Sequence, residues 1–406
     1  MNTTRRTFLG GSLAAALGAR FVSAAEAPKS PVAAIITTYG TNTHADVIVT
    51  KILKGYQHDG GAGPDPKLVS AYVDQQHPKD LSKGFAAEHD FRIAKSIDEA
   101  LTLGGDKLAV AGVLIIGEHG DYPIVEATGQ KMYPRRKFFD AVAATFKRVG
   151  SVVPVFSDKH LSYNWPDAKH MVDTARAMKF PFMAGSSVPV AWRVPTLVLD
   201  RGCEIEEAFA LGYGGMESYG FHTFEMLQCM VERRRGGATG VKRVDVVKGD
   251  AIWEAEKAGR WSRKLFDATL AVSPVYRKGE PEKLMSKDAA FFLIEYRDGL
   301  RATVAMAKGV AASWAFAAQM KGQAEPVATC FAMQEERPYG HFTYLLKAVE
   351  HMIRTGKPAY PVERTLLTTG MLDAAMHAYA TNKAVDTPYL DVAYEPTDWP
   401  HAPGKP

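Results

Sequence analysis

Cysteine is scarce in this chain of 406 residues: Cys203, Cys229 and Cys330 lie far apart and in no CxxC spacing. Three isolated cysteines do not form a disulfide framework, and the missing CxxC pairs exclude a zinc site built on thiolates. A free cysteine ordinarily packs as a small apolar side chain. We therefore expect all three to be buried and to have no chemical role.

The chain also lacks a large excess of positive or negative charge. The chain has 49 Lys and Arg residues against 45 Asp and Glu residues, a net charge of +4. Three of the basic residues lie in the first 25 residues, which contain no acid, so the remainder has 46 basic and 45 acidic residues. A nearly neutral body has no electrostatic footprint for nucleic acid or an anionic membrane surface. We expect neither partner.

The chain lacks any apolar run long enough to span a membrane, which takes about 18 residues or more. At the N-terminus, Arg5 and Arg6 precede a weakly apolar run at 10–22 and small residues at 23–25. Paired arginines in this context are typical of a twin-arginine (Tat) signal peptide with a small-residue cleavage site. We predict that residues 1–25 direct export by the Tat route and that the mature protein is periplasmic.

Short apolar runs alternate with amphipathic stretches in the first half of the remaining chain. Strands are predicted at 32–36, 67–73, 108–116 and 152–156, and helices at 45–53, 138–149 and 167–178. Strands that alternate with helices at this spacing form βαβ units around a parallel sheet. We predict an α/β, Rossmann-like, doubly wound domain over residues 31–185.

Beyond about residue 190 the pattern changes to strands joined by long links. Strand-like runs lie at 243–248, 289–296 and 300–306, and helical segments follow at 344–354 and 366–378. The turn at 297–299 suits a hairpin and therefore antiparallel neighbours. For residues 186–406 we predict an α+β domain with a large, mainly antiparallel, open-faced sheet and closing C-terminal helices.

Four short motifs occur in an order that resembles a known family. Lys159 and His160 follow the strand at 152–156; the other motifs are SIDEAL at 96–101, GFHTFE at 220–225 and TGKP at 355–358. Together they resemble the glucose–fructose oxidoreductase/inositol dehydrogenase (Gfo/Idh/MocA) family over nearly the whole mature chain. The resemblance implies a Rossmann-like domain, an open-faced sheet domain and, usually, NAD(P)-dependent oxidation of a sugar or cyclitol.

The resemblance also implies which residues handle protons. Lys159 matches the lysine that holds the substrate hydroxyl and assists its deprotonation, and it follows a strand, where open α/β sheets bind ligands. His222 matches the catalytic histidine, and imidazole titrates near neutrality; a core histidine is the alternative. The family's aspartate four residues before the histidine is Ser218 here, with Glu217 beside it. We predict Lys159, His222 and Glu217 as catalytic residues.

Glycine is missing where a dinucleotide site needs it. In G-x-G-x-x-G the glycines permit a tight turn, close approach to pyrophosphate and helix packing. The matching positions are Thr37, Tyr39 and Asn42, and we expect the Tyr39 side chain to occupy the volume that the phosphates need. NAD or NADP binding is therefore either lost or altered. The predicted cofactor-binding residues are Thr37, Thr38, Tyr39, Gly40, Asn42, Asp74, Glu118 and His119.

Polar side chains are dense after the predicted strand 108–116, at the ligand-binding edge of the sheet. Histidines and carboxylates can hold a divalent metal, but the sequence has neither HExxH nor an i,i+4 histidine pair. We therefore expect these side chains to bind substrate hydroxyls rather than a metal. The predicted substrate-binding residues are Asp121, Tyr122, His160, Trp192 and Glu225.

These observations predict an exported oxidoreductase that acts on a sugar, polyol or cyclitol derivative with NAD or NADP. One alternative is a non-redox carbohydrate lyase, hydratase or hydrolase of the same fold, with or without a metal. Another is a non-enzymatic periplasmic binding protein. The resemblance and the expected open sheet face also suggest a homo-oligomer.

Overall fold

A computed structural model describes residues 29–406 of the chain. The predicted signal peptide, residues 1–25, lies outside the described residues. The strands within this range are β1 (Pro31–Ile36), β2 (Lys67–Val73), β3 (Arg92–Ile93), β4 (Gly112–Ile116), β5 (Val155–Asp158), β6 (Phe182–Gly185), β7 (Trp192–Val194), β8 (Ile205–Gly212), β9 (Ala238–Thr239), β10 (Val241–Lys248), β11 (Ala290–Tyr296), β12 (Arg301–Met306), β13 (Ala315–Met320), β14 (Val327–Ala332), β15 (Val385–Asp386) and β16 (Ala393–Tyr394).

Helices connect most of these strands. They are α1 (His44–Lys54), α2 (Ser82–His89), α3 (Ile97–Thr102), α4 (Arg135–Val149), α5 (Trp165–Met178), α6 (Ser218–Val231), α7 (Ala251–Lys257), α8 (Arg263–Val272), α9 (Pro281–Leu284), α10 (Gly340–Thr355) and α11 (Val362–Thr381), together with a single 3₁₀ turn at Val188–Val190.

The first six strands form one parallel sheet in the order β3-β2-β1-β4-β5-β6. This is the strand order of a doubly wound Rossmann-like sheet. The two central strands read as unbroken apolar runs because both of their faces are covered, and every residue of β4 is buried. The order reverses between β1 and β4, so a crevice is expected outside their carboxyl ends.

The second sheet has eight strands in the order β15-β10-β11-β12-β8-β13-β14-β7. Every neighbouring pair in it is antiparallel except β8 and β12. The predicted fold class, a Rossmann-like sheet plus a mainly antiparallel sheet domain, is thus confirmed. One face packs against α6 and α11, whereas α7 and α8 cover part of the other, where Phe209 and Phe291 are fully buried. The open face is therefore narrower than the sequence suggested.

The two C-terminal helices join the sheets into one body. Helix α10 packs on the parallel sheet so closely that a Cβ added at Gly112 would lie 2.8 Å from Ile353. Helix α11 packs against α5, α6 and β10, and its glycine, Gly370, marks the tightest approach. A Cβ there would overlap Leu390 and lie 2.7 Å from the Trp165 ring. The carboxyl edge of the parallel sheet is thereby fixed against α6.

Replacing Gly370 with alanine should lower the free energy of unfolding by about 1–3 kcal/mol, because the added methyl overpacks a rigid contact. Gly220→Ala in α6 is the matched control, since its Cβ would meet only Leu372 at 3.6 Å. At position 220 the higher helix propensity of alanine should leave the free energy of unfolding unchanged or raise it by up to about 1 kcal/mol. Urea unfolding of both variants measures the difference. Equal stability of Gly370→Ala and wild type would contradict the packing described.

Candidate active site

Three strands of the parallel sheet are followed, in the loop after each strand, by a non-glycine residue with a left-handed backbone. Asn42 follows β1 with φ 62°, His119 follows β4 with φ 69°, and Lys159 follows β5 with φ 70°. Such conformations cost on the order of 1–3 kcal/mol each and cluster at functional sites. All three lie at the carboxyl edge of the sheet, which makes this edge the candidate active site.

Lys159 is the centre of this edge. Its side chain is 4% exposed, and its Nζ donates to Nε2 of His222 at 2.8 Å and to the backbone carbonyl of Ser218 at 3.3 Å. Oε1 of Glu118 lies 3.5 Å from the same nitrogen. The Lys159 amide donates to the carbonyl of Gly185 on the next strand at 3.1 Å, which fixes the left-handed turn. Lys159 and His222, each predicted as a catalytic residue, therefore lie in direct contact.

His222 reaches Lys159 from the first turns of α6 and is held on its other side by Ser186. Nδ1 of His222 lies 2.6 Å from Oγ of Ser186. Because Nε2 accepts from the lysine, the ring proton is assigned to Nδ1, which then donates to Ser186. Burial, followed by the charge of Lys159, lowers the pKa of His222 well below its usual value. The expectation that this histidine titrates near neutrality is therefore wrong.

A buried ion pair between Arg135 and Glu118 lies next to Lys159. Arg135, at the start of α4, donates from Nη2 to Oε2 of Glu118 at 2.6 Å, and both side chains are buried. Although burial alone would raise the pKa of Glu118, the Lys159 and Arg135 charges hold it well below its usual value. Gly117 makes room for the arginine, since a Cβ there would lie 2.6 Å from Arg135 Cγ. Glu118 was predicted to bind cofactor; instead it balances two buried cations.

His160 and Glu217 extend this network rather than face a substrate. Nη1 of Arg135 lies 3.0 Å from Nε2 of His160, and Oε1 of Glu217 lies 3.7 Å from the same ring nitrogen. Burial lowers the pKa of His160 to about 4, so the ring is neutral at pH 7. Glu217 Oε2 accepts from the backbone amide of Lys131 at 2.8 Å. His160 therefore contacts Arg135, and Glu217 contacts His160 and the backbone of Lys131, while their predicted substrate and catalytic roles stay predictions.

An aromatic cluster lies beside His222. Trp314 stacks on Tyr219 with ring centroids 5.4 Å apart, and its ring meets His222 edge-on at 5.8 Å. Tyr213 and Trp314 also line a cavity of about 670 Å³ on the sheet domain. Nε1 of Trp314 has no hydrogen-bond partner within the part of the chain that the structure describes. An aromatic face with an unused donor suits a hydroxylated ligand.

Two further histidines form the outer rim of the site. Nδ1 of His44, at the start of α1, lies 2.6 Å from Oδ2 of Asp158. The ring of His119 lies 5.6 Å from that of His44. Burial, with a smaller effect of His44, lowers the pKa of His119 to about 4. The predicted cofactor residue His119 is therefore a neutral ring that packs at the rim.

The turn after β1 differs from the expected obstruction. Tyr39 is fully buried in the core, with its ring 5.6 Å from that of Phe85 and its hydroxyl 3.2 Å from Oγ1 of Thr50. Its side chain therefore points away from the place where pyrophosphate would lie, and the expectation that Tyr39 blocks that place is wrong. Thr37 donates to the Glu118 carbonyl at 2.6 Å. That hydroxyl is thus engaged within the protein instead of being free for a phosphate.

The position that a pyrophosphate would take at the N-terminus of α1 is filled by the protein's own groups. Asp46 accepts from the backbone amide of Asn42 at 2.9 Å, from Thr50 Oγ1 at 2.8 Å and from Arg337 at 2.5 Å. The Tyr339 hydroxyl donates to Asn42 Oδ1 at 2.5 Å. Arg337 neutralises this buried carboxylate, which takes up a backbone amide of the turn that would otherwise be free to donate to a phosphate.

The place of the cofactor ribose is filled in the same way. Both carboxylate oxygens of Asp74 accept from tyrosines, Tyr72 and Tyr122, each at 2.8 Å. Gln75 exchanges two hydrogen bonds with the backbone of Asp121, at 2.8 and 2.9 Å. Asp121 and Tyr122, predicted to bind substrate, therefore tie the loop after β4 across the end of β2. The carboxylate of Asp74, predicted to bind cofactor, is thus engaged by two tyrosines of the protein itself.

Two predicted substrate residues lie elsewhere. Glu225 is fully buried in α6 and accepts from Thr368 at 2.5 Å, and burial raises its pKa. Trp192 is 7% exposed and packs edge-on against Tyr344 at 5.4 Å, so its faces are not open to a sugar. Both side chains are thus engaged within the protein, and their contact with a substrate stays a prediction. The residues that the sequence analysis missed are Arg135, Ser186 and Trp314, none of which stands in a recognisable motif.

Residues 29–406 contain no group of three or more His, Cys, Asp or Glu side chains arranged to hold a metal ion. In the same range, no helix combines the length and the apolar character that crossing a membrane requires. Cys229 and Cys330 are buried as expected, whereas Cys203 is half-buried, and all three are free thiols. Burial raises the pKa of Cys229 and of Cys330 to about 11.

Solved structures show what this fold is similar to. GenD2 from gentamicin A biosynthesis, in complex with NAD, aligns with TM-score 0.57 and 13% identity over 89% of this chain and 97% of its own. An apo scyllo-inositol dehydrogenase from Lactobacillus casei aligns with TM-score 0.54 and 12% identity, covering 88% and 98%. A putative myo-inositol dehydrogenase from Sinorhizobium meliloti 1021 gives 0.53 and 12%, covering 90% and 100%. At these identities the likeness concerns the fold alone.

No protein-family model matches the sequence, and no curated protein matches it.

The neutral state of buried His160 should make stability depend on pH. Its folded-state pKa of about 4 lies below the unfolded value of 6.5, so between these values the unfolded chain binds a proton that the folded chain does not. The free energy of unfolding should therefore fall as pH decreases from 6.5 to 4. In His160→Asn this fall should be smaller; His170→Asn, at an exposed site, is the control. Equal slopes for wild type and His160→Asn in urea titrations would contradict the assignment.

Proposed function

We propose that the protein is an enzyme that moves a proton to and from a hydroxylated small molecule, a sugar, polyol or cyclitol derivative, in a non-redox lyase or hydratase reaction. The observation that carries this proposal is the 2.8 Å contact between Lys159 Nζ and His222 Nε2 at the carboxyl edge of the sheet. Open α/β folds bind their ligands at this edge. A positioned acid–base pair there is what proton transfer requires.

The surroundings of Lys159 define how the pair would act. Nζ has three proton-accepting neighbours, and Glu118, at 3.5 Å, is the most distant of them. A substrate oxygen would take the place of this weakest contact and receive the third N–H of the ammonium. Nζ would give this proton to the substrate oxygen as its C–O bond breaks. The resulting amine would take the proton lost from the neighbouring carbon, so that the lysine ends as the ammonium and His222 stays neutral. Ser186 keeps the ring oriented by accepting from Nδ1.

Glu118 and Arg135 support the lysine without contacting substrate. The carboxylate of Glu118 stabilises the charge of Lys159, and Arg135 holds that carboxylate in place at 2.6 Å. A buried ion pair of this kind keeps its geometry because either partner alone would be an uncompensated charge. We infer that the Glu118–Arg135 ion pair fixes the position of the Lys159 side chain at the carboxyl edge of the sheet.

An NAD(P)-dependent oxidoreductase is the second candidate function, as a divergent member of the Gfo/Idh/MocA family. It is favoured by the fold, since GenD2, a structure in complex with NAD, and the inositol dehydrogenases share it. Against it stand the buried carboxylate of Asp46 at the α1 N-terminus and the two tyrosines on Asp74. Residues of the chain itself occupy the phosphate and ribose positions, so we place this function second.

The proposal also includes export by the twin-arginine route, a periplasmic location, a carbohydrate-like ligand and homo-oligomerisation. The support for export is the Arg5-Arg6 motif with its small-residue cleavage site. The support for a hydroxylated ligand is the aromatic cluster of Tyr213, Tyr219 and Trp314 beside His222. Each can be tested separately from the chemistry.

Deuterium uptake tests the proposed proton transfer. The protein is incubated in D₂O with a panel of uronates, keto-sugars and inososes, and NMR follows loss of the C–H signal next to the carbonyl or carboxylate. We expect exchange for a member of the panel, because removal of this proton starts both elimination and dehydration. Lys159→Met should reduce the exchange rate at least 100-fold, the usual scale for a general acid–base group.

Lys137→Met, at an exposed site on α4, is the matched control and should exchange at the wild-type rate. Circular dichroism verifies that both variants are folded. Exchange that persists in Lys159→Met would remove the lysine from the mechanism. If no member of the panel exchanges, the proposal of a non-redox proton transfer fails.

Protein that is purified from the cytoplasm and then denatured should release no nicotinamide dinucleotide, because the protein's own side chains fill its place. Mass spectrometry of the supernatant measures this directly. Added NAD⁺ or NADP⁺ should also give no thermal shift, whereas a ligand at about 100 times its Kd would stabilise the fold by roughly 2.7 kcal/mol. Release of one dinucleotide per chain would decide for the oxidoreductase and against the non-redox enzyme.

A further inference from the structure

A second cavity lies on the far side of the Val188–Val190 turn from the active site and has no part in the chemistry above. Its volume is about 490 Å³, large enough for a small organic molecule. The end of α6, the start of α11 and the C-terminal tail enclose it. The tail is held in place by the amide of Ala402, which donates to the Val190 carbonyl at 2.9 Å.

The acids of this cavity already have cationic partners. Arg364 donates to Glu232 from two nitrogens, Nε at 2.9 Å and Nη2 at 2.5 Å. Arg233 donates to Asp398 at 2.9 Å, and Arg201 donates to the same carboxylate at 3.1 Å. Neither acid is therefore left to neutralise a further cation.

Arg193 is that further cation. Its side chain lines the cavity, is 8% exposed and pairs with no carboxylate among residues 29–406. Nη1 donates to the Leu197 carbonyl at 3.1 Å, Nη2 is 3.5 Å from the Pro189 carbonyl, and Nε has no partner there. Burial lowers the pKa of this guanidinium. The guanidinium stacks on the Phe331 ring at 5.1 Å, but no carboxylate of the described chain balances its charge. A buried charge without a counter-charge is unfavourable, and an anion in the cavity would offset this cost.

A second polar group in the cavity wall is also unused. Tyr360 is 2% exposed, and its hydroxyl has no hydrogen-bond partner among the described residues. Its ring lies 4.8 Å from the Arg364 guanidinium. A phenol buried without a partner is unusual, because buried polar groups are nearly always hydrogen-bonded. An oxygen acceptor in the cavity would satisfy it after a small side-chain movement.

We propose that this cavity is a binding site for a small monocarboxylate with an apolar body. Arg193 would pair with the carboxylate, and Tyr360 would donate to it. A single uncompensated guanidinium matches one negative charge, and its fork suits a carboxylate. The remaining walls are mainly apolar, with Val190, Val198 and Trp399 among them. This inference is independent of the proposed function, since it uses no residue of the Lys159 network.

Calorimetry on the full chain tests the site with acetate, benzoate and glucuronate as probes. We expect at least one carboxylate, benzoate foremost, to bind with one molecule per chain. Benzamide, which has the same shape without the charge, should not bind. Inorganic phosphate should bind more weakly than benzoate, because it brings a second charge that no cation of the cavity balances.

Arg193→Gln should weaken the Kd for benzoate at least tenfold, and Tyr360→Phe should weaken it by a smaller factor. Arg193→Gln should also melt at the same temperature as wild type or higher, because it removes a buried unpaired charge. Lys29→Gln, at the exposed start of the described chain, is the control for a general charge effect. Failure of all three carboxylates to bind, equal binding by Arg193→Gln, or tighter binding of phosphate would each overturn the proposal.

Discussion

The buried ammonium of Lys159 is the group around which this edge of the protein is organised. A charge with 4% exposure is tolerated only when its surroundings compensate it, and here Glu118, His222 and a backbone carbonyl do so. Arg135 in turn requires Glu118, which accepts from it at 2.6 Å. These contacts join β4, β5 and α4 to α6. The charged groups of the candidate site therefore also hold the parallel sheet against the helix that packs on the eight-stranded sheet.

The fold could be predicted in outline because apolar periodicity marks βαβ units and because four motifs occur in a familiar order. Lys159 and His222 could each be singled out for the same reason, although 62 residues separate them in the chain. Arg135 could not be predicted as a site residue. It stands in the run PRRKFF, where nothing distinguishes a buried arginine from a solvent-exposed one. Helices α7 and α8 were also missed, because the sequence analysis assigned their segments to long links between strands.

The direction of the Tyr39 side chain could not be predicted from the sequence. Its position in the turn was inferred correctly, but the direction of its side chain depends on the backbone of residues 37–43, which no motif specifies. The ring enters the core beside Phe85, and the carboxylate of Asp46 is what takes the place of the phosphates. Asp46 reads in the sequence as an ordinary acid in a first helical turn, a common helix-stabilising residue. Its pairing with Arg337 is a long-range contact.

Lys159 and His222 thus form a buried, hydrogen-bonded pair at the carboxyl edge of the parallel sheet. The central claim is that Lys159 donates to a neutral His222, and ¹⁵N NMR of the histidine rings reports it most directly. We predict that His222 carries its proton on Nδ1, stays mostly neutral at pH 6, where an imidazole with the ordinary pKa of 6.5 is mainly protonated, and changes its Nε2 shift in Lys159→Met. An imidazolium at pH 6, or a proton on Nε2, would contradict the account.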